Sequence, residues 1–441
     1  MMKIKTPKKL LAVLTTLLLS FGALAPAASA NPAPVGTCSV RSLATSPHIK
    51  NLYAEVVRAD TGQRLYARRA ATPQRTASVM KVVTSVVALD VLGPDYTVKT
   101  RVFVDPVDNT KIYLVGAGDV TLSRQPEGTT PYYAFGPRLD DLSTQIAAWA
   151  SASGTDVSTI VLDSTAFGEV QEYWHPTWDR RGISQGYMGP ISALQVDAAR
   201  LTSSSKPLNF IGKRTEKPIQ QAGTLFRTSL RKSGIAAKAS ITRGEVPEGA
   251  IEIASVESRP MSEWIANTLR VSDNALSEAL ARLVSLELGM GGTAESLDAA
   301  YKQVLAARGI DTSKVTIVDG SGLSRANRMP AAAINRILAQ VYADPEKHAA
   351  VRAGMPVSGK PGSLRFRFNA GEQRDALNLI EAKTGWIRTG YSLAGFIKAK
   401  DGTDLIFTVY NIGNSVTYKN RAAMDALVHG FFRCGASLSS N

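Results

Sequence analysis

The sequence predicts a mixed α/β fold of the α+β type: an antiparallel sheet of about five strands, flanked by helices and split by an inserted β-rich domain. A continuous apolar stretch at residues 78–92 predicts a buried helix, and two strand-like segments flank an Asp401-Gly402 turn. Two short serine-containing motifs, described below, begin at Ser78 and Ser272, and the gap between them is far longer than a helix–turn–helix connection needs. A second domain must therefore be inserted there.

Residues 1–30 have the pattern of a secretory signal peptide. Four lysines precede a mostly apolar run from Leu10 to Leu24, and Ala28-Ser29-Ala30 then stands before Asn31. This order of basic, apolar and small-residue segments predicts export, with cleavage after Ala30. No later stretch is long and apolar enough to span a bilayer, so we expect an extracytoplasmic chain, in the periplasm or cell wall, without a transmembrane anchor.

The mature chain divides into two domains on this interpretation. The domain that carries the motifs is expected at residues 31–97 and 255–441, and the inserted domain at residues 98–254. Short strand-like runs separated by turn residues make the insert β-rich, at residues 101–104, 111–115 and 159–162.

The net charge of +14 indicates an acidic partner. For an exported protein this partner is a bacterial cell wall or anionic lipid; the export signal and the lack of a binding motif count against nucleic acid, which we do not expect as a partner. The four histidines are scattered and the two cysteines lie far apart, so we predict no metal site and no cofactor.

The two cysteines, Cys38 and Cys434, lie near the two ends of the mature chain. Export places them in an oxidising compartment, where disulfides form and persist. We predict a disulfide that joins the N-terminal segment to a C-terminal helix, expected from about Tyr418 to Phe432.

The first motif is Ser78-Val79-Met80-Lys81, at the start of the predicted buried helix. A serine and a lysine three residues apart lie on one helix face, so the amine can reach the hydroxyl. Free backbone N–H groups of the first turn can face a developing oxyanion. Copies of S-x-x-K at Ser203 and Ser229 have no apolar helix behind them. The alternative for Ser78 is an ordinary N-cap serine.

The second motif, Ser272-Asp273-Asn274, falls between two amphipathic stretches that predict helices. We expect a short turn there that points Ser272 and Asn274 into a cleft, to relay a proton to a leaving amine and to hold a substrate amide. The alternative is that Asp273 or Asn274 only caps the following helix.

The third motif, Lys383-Thr384-Gly385, lies near the end of a predicted strand. A lysine, a hydroxyl and a glycine on an edge strand suit a substrate that ends in a carboxylate: Lys383 supplies charge, Thr384 a hydrogen bond, and Gly385 space for another backbone. The similar Arg388-Thr389-Gly390 has an odd offset, so we expect it on the opposite face of the same strand, as a bystander.

S-x-x-K, S-x-N and K-T-G together form the motif set of serine acyl-transfer enzymes that penicillin inhibits. The chemistry requires a neutral Lys81 that takes the proton of Ser78. We expect burial beside the cationic Lys383 to lower the pKa of Lys81.

The chain resembles the D-alanyl-D-alanine carboxypeptidases/endopeptidases that are low-molecular-mass class C penicillin-binding proteins. Beyond the three motifs, the resemblance includes segments at residues 113–123, 186–194, 319–328 and 355–368. It implies a transpeptidase-like domain interrupted after the S-x-x-K helix. It also implies Ser78 as nucleophile, Lys81 as general base, Ser272 and Asn274 in proton relay and substrate binding, and Lys383 with Thr384 at the terminal carboxylate.

Trp386 departs from this family, in which threonine is usual at that position. Its backbone N–H can still join that of Ser78 in an oxyanion hole, but a hydroxyl contact to substrate is lost. The resemblance also places Ser321 and Arg325, in the DGSGLSR segment, near the pocket for the side-chain end of the stem peptide. The alternative there is a glycine-rich turn with a solvated arginine.

The expected function is that of a serine-type D-Ala-D-Ala carboxypeptidase, with DD-endopeptidase cleavage as a further activity. Its partners would be peptidoglycan stem peptides that end in D-Ala-D-Ala, and β-lactam antibiotics as inhibitors. A β-lactamase is one alternative, although the long gap between the first two motifs and the lack of an E-x-x-L-N segment count against it. A non-catalytic cell-wall binding protein is the other, against which the intact motifs count.

Overall fold

The computed structural model describes residues 37–134, 136–202 and 212–439. The predicted signal peptide, the S-x-x-K copy at Ser203 and the end of an S-x-N copy that begins at Ser439 lie outside the described residues.

Strands and helices are distributed along the whole of the described chain. The strands are β1 (Cys38–Ser39), β2 (Asn51–Arg58), β3 (Arg64–Arg68), β4 (Lys99–Val104), β5 (Lys111–Val115), β6 (Thr159–Asp163), β7 (Ser240–Arg243), β8 (Ile251–Glu257), β9 (Ile380–Ile387), β10 (Gly390–Lys398), β11 (Asp404–Ile412) and β12 (Leu438–Ser439). The helices are α1 (Arg41–Ala44), α2 (Met80–Val91), α3 (Leu139–Ser153), α4 (Arg181–Gln185), α5 (Pro218–Lys232), α6 (Met261–Val271), α7 (Asn274–Glu287), α8 (Leu297–Ala307), α9 (Ala331–Ala343), α10 (Ala349–Gly354) and α11 (Tyr418–Cys434).

An antiparallel sheet with the strand order β3-β2-β11-β10-β9 confirms the predicted sheet of about five strands. The Asp401-Gly402 turn joins β10 to β11, and Gly402 has a φ of +87°, which glycine adopts without a steric penalty. Helices cover both faces: α2 and α9 lie in the apolar cluster on one face, and α11 packs on the other. The strand that carries Lys383, β9, is the last in this order.

The apolar stretch after Ser78 forms a short 3₁₀ turn, Ala77–Val79, followed by α2. Residues 80–89 are all buried, so this helix is enclosed on every face, as its sequence predicts. Its apolar cluster includes residues of α6, α7, α8 and α9. The rigid core therefore fixes the position of the turn that precedes α2.

A second sheet, of strand order β7-β6-β5-β4-β8, lies between α2 and α6 in the sequence. The strands expected at residues 101–104, 111–115 and 159–162 are present, but the purely β-rich expectation missed α3 and α5. Both parallel pairs, β5–β6 and β6–β7, need a crossover connection, and these two helices supply it. The predicted domain limits stay predictions, and β8 continues past residue 254 to Glu257.

The two chain ends are joined. A disulfide between Cys38 and Cys434 confirms the predicted pairing, with the two Cα atoms 5.4 Å apart. The short strands β1 and β12 pair in parallel beside it. Within the described ranges, no helix has the length and apolar character that crossing a membrane requires.

Candidate active site

The side chains of Ser78 and Lys81 meet at the base of a cleft. Lys81 Nζ lies 3.1 Å from Ser78 Oγ, because one helical turn brings the two side chains to the same face. The amine also donates to the Oδ1 of Asn274 over 2.7 Å and to the carbonyl of Ser321 over 2.6 Å. Lys81 is completely buried, so these contacts fix the amine beside the hydroxyl.

The second motif forms a tight turn between α6 and α7. Ser272 ends α6 in the left-handed conformation, with a φ of +61°, and Asp273 caps α7 by accepting a hydrogen bond from the N–H of Leu276. Asn274 is the first residue of α7, and its Nδ2 donates to the carbonyl of Tyr187 over 2.8 Å. The capping alternative and the predicted cleft-facing turn therefore both hold: Asp273 caps, while Ser272 and Asn274 line the cleft.

The third motif lies on β9, opposite the turn at Ser272. Lys383 Nζ donates to Ser272 Oγ over 2.9 Å and to the carbonyl of Thr384 over 2.8 Å. A Cβ added to Gly385 would lie 2.8 Å from the backbone nitrogen of Ser78 and would overlap Ser392 Oγ. Glycine is needed at this position because β9 passes directly against the Ser78 turn.

Burial sets the protonation of both lysines. Removal from water lowers the pKa of Lys81 from 10.5 to about 8, against the opposing effect of the carboxylates of Asp319, Glu278 and Asp273. Burial, followed by repulsion from Lys81, lowers the pKa of Lys383 well below its ordinary value. The sequence predicted that the charge of Lys383 would lower the pKa of Lys81, but the repulsion between the two lysines lowers the pKa of Lys383 instead. The pKa of Lys81 is lowered by burial, which favours its neutral amine.

The DGSGLSR segment forms a loop organised around Asp319. Its carboxylate accepts hydrogen bonds from the indole of Trp178 and the backbone N–H groups of Gly322 and Ser324. The Ser321 side chain is buried and does not line the cleft; Ser321 reaches the site through its carbonyl, which accepts from Lys81.

Arg325, in the same segment, lines the cleft, and its role in a substrate pocket stays a prediction. The carboxylate of Glu278, on α7, accepts a hydrogen bond from the N–H of Ser321 and so holds this loop against α7. Burial and the nearby Asp319 raise the pKa of this glutamate to about 7.

The cleft is a cavity of about 830 Å³ above Ser78. Besides the predicted Thr384, Gly385 and Trp386, it is lined by residues that the motifs did not indicate, namely Thr177, Trp178, Asp179, Arg180, Arg181, Gln185, Tyr187, Leu323, Ser363, Arg367, Ile387, Arg388, Tyr391 and Arg421. Those from residues 177–187 come from the region predicted as the insert. Tyr187 lies in the segment at residues 186–194, which carries part of the family resemblance, and this resemblance is the sequence signal that could have indicated it as a site residue.

The prediction for Arg388-Thr389-Gly390 was wrong. Arg388 and Thr389 form the turn from β9 to β10, and Gly390 begins β10, so the three residues do not lie on one face of a single strand; Arg388 lines the cleft. Among the residues that the structure describes, no three His, Cys, Asp or Glu side chains converge to hold a metal ion.

Comparison with known proteins identifies the family. The model of the D-Ala-D-Ala carboxypeptidase 3 (S13) family matches residues 37–215 and 204–430. Carboxypeptidase DacB of Mycolicibacterium smegmatis is 30% identical over 93% of this chain and 89% of its own. D-alanyl-D-alanine carboxypeptidase of Actinomadura sp. is 27% identical over 85% of this chain and 80% of its own.

The fold has a solved counterpart in penicillin binding protein 4 (DacB) of Haemophilus influenzae. Its crystal structure superposes with a TM-score of 0.74 at 18% identity, covering 89% of this chain and 98% of that protein. Fold and sequence together define the class of protein: an enzyme, a hydrolase of the peptidase type. The chain belongs to the D-Ala-D-Ala carboxypeptidase 3 (S13) family, in agreement with the predicted resemblance.

Proposed function

We propose that this protein is a serine D-Ala-D-Ala carboxypeptidase that removes the terminal D-Ala of peptidoglycan stem peptides through an acyl-enzyme on Ser78. The observation that carries the proposal is the buried amine of Lys81, 3.1 Å from Ser78 Oγ and with a lowered pKa of about 8. A neutral amine at that distance can act as the general base for the hydroxyl.

The reaction has two stages. Ser78 Oγ attacks the carbonyl carbon of the penultimate D-Ala while its proton passes to Lys81 Nζ. The backbone N–H groups of Ser78 and Trp386 hold the oxyanion, and Gly385 leaves the space that β9 needs beside the backbone nitrogen of Ser78. The proton then passes by way of Ser272 to the departing nitrogen, the C–N bond breaks, and D-Ala leaves. Water attacks the Ser78 ester, which releases the shortened peptide and returns the proton to Ser78.

Arg325 supports a pocket for the side-chain end of the stem peptide. It lines the same cavity as Asp179 and Tyr187, so the cleft wall offers both charged and hydrogen-bonding groups. A diamino-acid side chain, with an amine and a carboxylate, matches this mixture of charges.

β-Lactams resemble the D-Ala-D-Ala terminus and would be trapped at the acyl stage. A β-lactam complex of Haemophilus influenzae penicillin binding protein 4, at a TM-score of 0.65 and 18% identity, supports this part of the proposal through its fold. We also propose that the protein is exported to the cell wall or periplasm, with its signal peptide cleaved after Ala30.

The test is the intact mass of the mature protein after mixing with benzylpenicillin, followed in time, beside Ser78→Ala. Ser229→Ala is the matched control, because Ser229 heads the other described S-x-x-K copy but lies in the last turn of α5, bonded to Ser143 and Asp140. We expect a lasting adduct in the wild type and in Ser229→Ala, none in Ser78→Ala, and D-Ala release from acyl-D-Ala-D-Ala. An adduct that disappears within seconds would favour a β-lactamase. No adduct and no D-Ala release would favour a binding protein.

A further inference from the structure

The group that would hold the terminal carboxylate of a substrate is not settled by the K-T-G motif. Lys383 is completely buried and is not among the residues that line the cleft. Its amine donates to Ser272 Oγ and to the carbonyl of Thr384. In the cleft the hydroxyl of Thr384 donates to Ser363 Oγ over 2.8 Å, so a carboxylate that binds Thr384 must take over this hydrogen bond and needs a cation from elsewhere.

The alternation of side chains along β9 shows on which face of the sheet such a cation must lie. Thr384 pairs with Leu393 and Trp386 with Tyr391 on β10. Leu393 belongs to the apolar cluster that α11 covers, whereas Ala394, the partner of Lys383, belongs to the cluster of α2. Because side chains alternate along a strand, the hydroxyl of Thr384 lies on the α11 side of the sheet.

Arg421, in the first turn of α11, lines the same cavity as Thr384 and Tyr391. Its guanidinium lies over the ring of Tyr418, 4.5 Å from the centroid. Across the described part of the chain it forms no ion pair with an Asp or Glu, and its buried Nε has no hydrogen-bond partner. Arg421 is thus a half-buried cation with unused hydrogen-bonding capacity at the cleft wall.

The other arginines of the cleft are engaged or lie elsewhere. Arg367 is paired with Asp425, Arg181 with Asp179, and Arg180 with Glu216. Arg388 lies in the β9–β10 turn; the pKa of Asp179 is lowered chiefly by its hydrogen bond from Arg181 and to a smaller extent by the charge of Arg388, which places Arg388 towards residues 177–187. Arg325 belongs to the loop around Asp319.

We infer that Arg421 is a specificity-determining residue of this site, which binds the C-terminal carboxylate of the substrate together with the hydroxyl of Thr384. The inference rests on the proposed function. Arginine suits the task because its planar guanidinium can donate two parallel hydrogen bonds to one carboxylate. Trp386, on the same face, carries no hydroxyl, so the carboxylate depends more strongly on a cation.

The experiment compares acyl-D-Ala-D-Ala with the same peptide amidated at its C-terminus, in the wild type, Arg421→Gln and Arg421→Lys. Arg433→Gln, an exposed arginine near the other end of the same helix, is the matched control. We expect Arg421→Gln to lower kcat/KM for the free acid roughly 10–100-fold, mainly through KM, with a much smaller change for the amide. Arg421→Lys should recover part of the loss, and Arg433→Gln should behave as the wild type.

Acylation by benzylpenicillin and by its methyl ester gives a second readout that needs no peptidase activity. Arg421→Gln should slow acylation by the acid and should reduce the preference for the acid over the ester. Equal changes for acid and neutral ligands, or no change for either, would overturn the inference while leaving the proposed function standing. Failure of the proposed function is different: the wild type itself would form no adduct and release no D-Ala, and the inference would fall with it.

Discussion

The amine of Lys81 donates a hydrogen bond to the Oδ1 of Asn274 over 2.7 Å, although the two residues lie 193 positions apart in the sequence. The same amine contacts Ser78 and the carbonyl of Ser321. Segments from both sides of the predicted insertion therefore hold one nitrogen. Because all three contacts are short and Lys81 is buried, the amine is fixed in place before a substrate arrives.

Acylation should depend on the ionisation of Lys81. With a pKa of about 8 in place of 10.5, the rate constant for benzylpenicillin should rise with pH through about 8 and then level off, because only the neutral amine accepts the proton of Ser78. Stopped-flow or quenched mass measurements from pH 6 to pH 10 would check this.

Glu278→Gln provides the comparison for that profile. It retains an acceptor for the N–H of Ser321 but removes a negative charge that raises the pKa of Lys81, so the midpoint should move to lower pH. A profile that is flat between pH 6 and pH 9 would contradict Lys81 as the base.

Gly385→Ala should abolish most activity while the protein stays folded. The added Cβ would lie against the backbone nitrogen of Ser78 and displace the turn that carries the nucleophile. Misplacement of this kind lowers rates by about 10²-fold. Acylation rate and thermal unfolding should be measured together.

Gly402→Ala is the control for this change. Its Cβ would meet nothing within 4 Å, but its φ of +87° disfavours alanine. It should therefore lower the free energy of unfolding by about 1 kcal/mol and leave acylation unchanged. Normal acylation by Gly385→Ala would show that the close approach of β9 to Ser78 is not required.

Tyr133→Phe should slow acylation through the turn at Ser272. The hydroxyl of Tyr133 donates to Asp273 Oδ2 over 3.0 Å, and Arg200 lies 3.9 Å from the same oxygen. Loss of the bond should reduce kcat several-fold with little change in KM, and the free energy of unfolding by about 1 kcal/mol. Tyr410→Phe is the control, since it removes a buried hydroxyl that has no partner within the described residues. Equal effects of the two variants would count against the role of Tyr133.

Arg325→Ala should weaken turnover of peptides with a diamino-acid side chain more than turnover of simple acyl-D-Ala-D-Ala. The guanidinium lines the cleft and would pair with the side-chain carboxylate of the longer substrate. The ratio of the two kcat/KM values is the readout. Arg328→Ala, which alters a neighbour bonded to the carbonyl of Arg325, serves as the control. Equal losses on both substrates would argue against the pocket.

Breaking the bond between Cys38 and Cys434 should destabilise the fold without changing acylation. The bridge closes nearly the whole described chain, and loss of a long closure costs roughly 2–5 kcal/mol of unfolding free energy. Cys38→Ser, Cys434→Ser and the double variant should therefore show the same loss in denaturant titrations. A double variant markedly less stable than either single one would show that the cysteines stabilise the protein by separate contacts.

The sequence predicted most of the sheet and the turn at Ser272 because their signals are local. The enclosed helix α2, the Asp401-Gly402 turn and the helices on either side of Ser272 each depend on short-range periodicity or turn chemistry. The helices α3 and α5 were not predicted, because the expectation for the insert rested on its short strand-like runs. Arg388 was misplaced because one odd offset was interpreted within a strand that in fact ends at Ile387.

By itself the sequence predicted which residues would carry the chemistry: Ser78 and Lys81 one helical turn apart, Ser272 and Asn274 on a turn, and Lys383 on a strand. Only the tertiary structure decided which groups these residues contact and which of them are buried. It buried Lys383 against Ser272, turned Ser321 so that its carbonyl holds Lys81, and brought Arg421 to the cleft wall. The physical reason is that burial and hydrogen-bond partners depend on packing between segments far apart in the chain, which local patterns do not record.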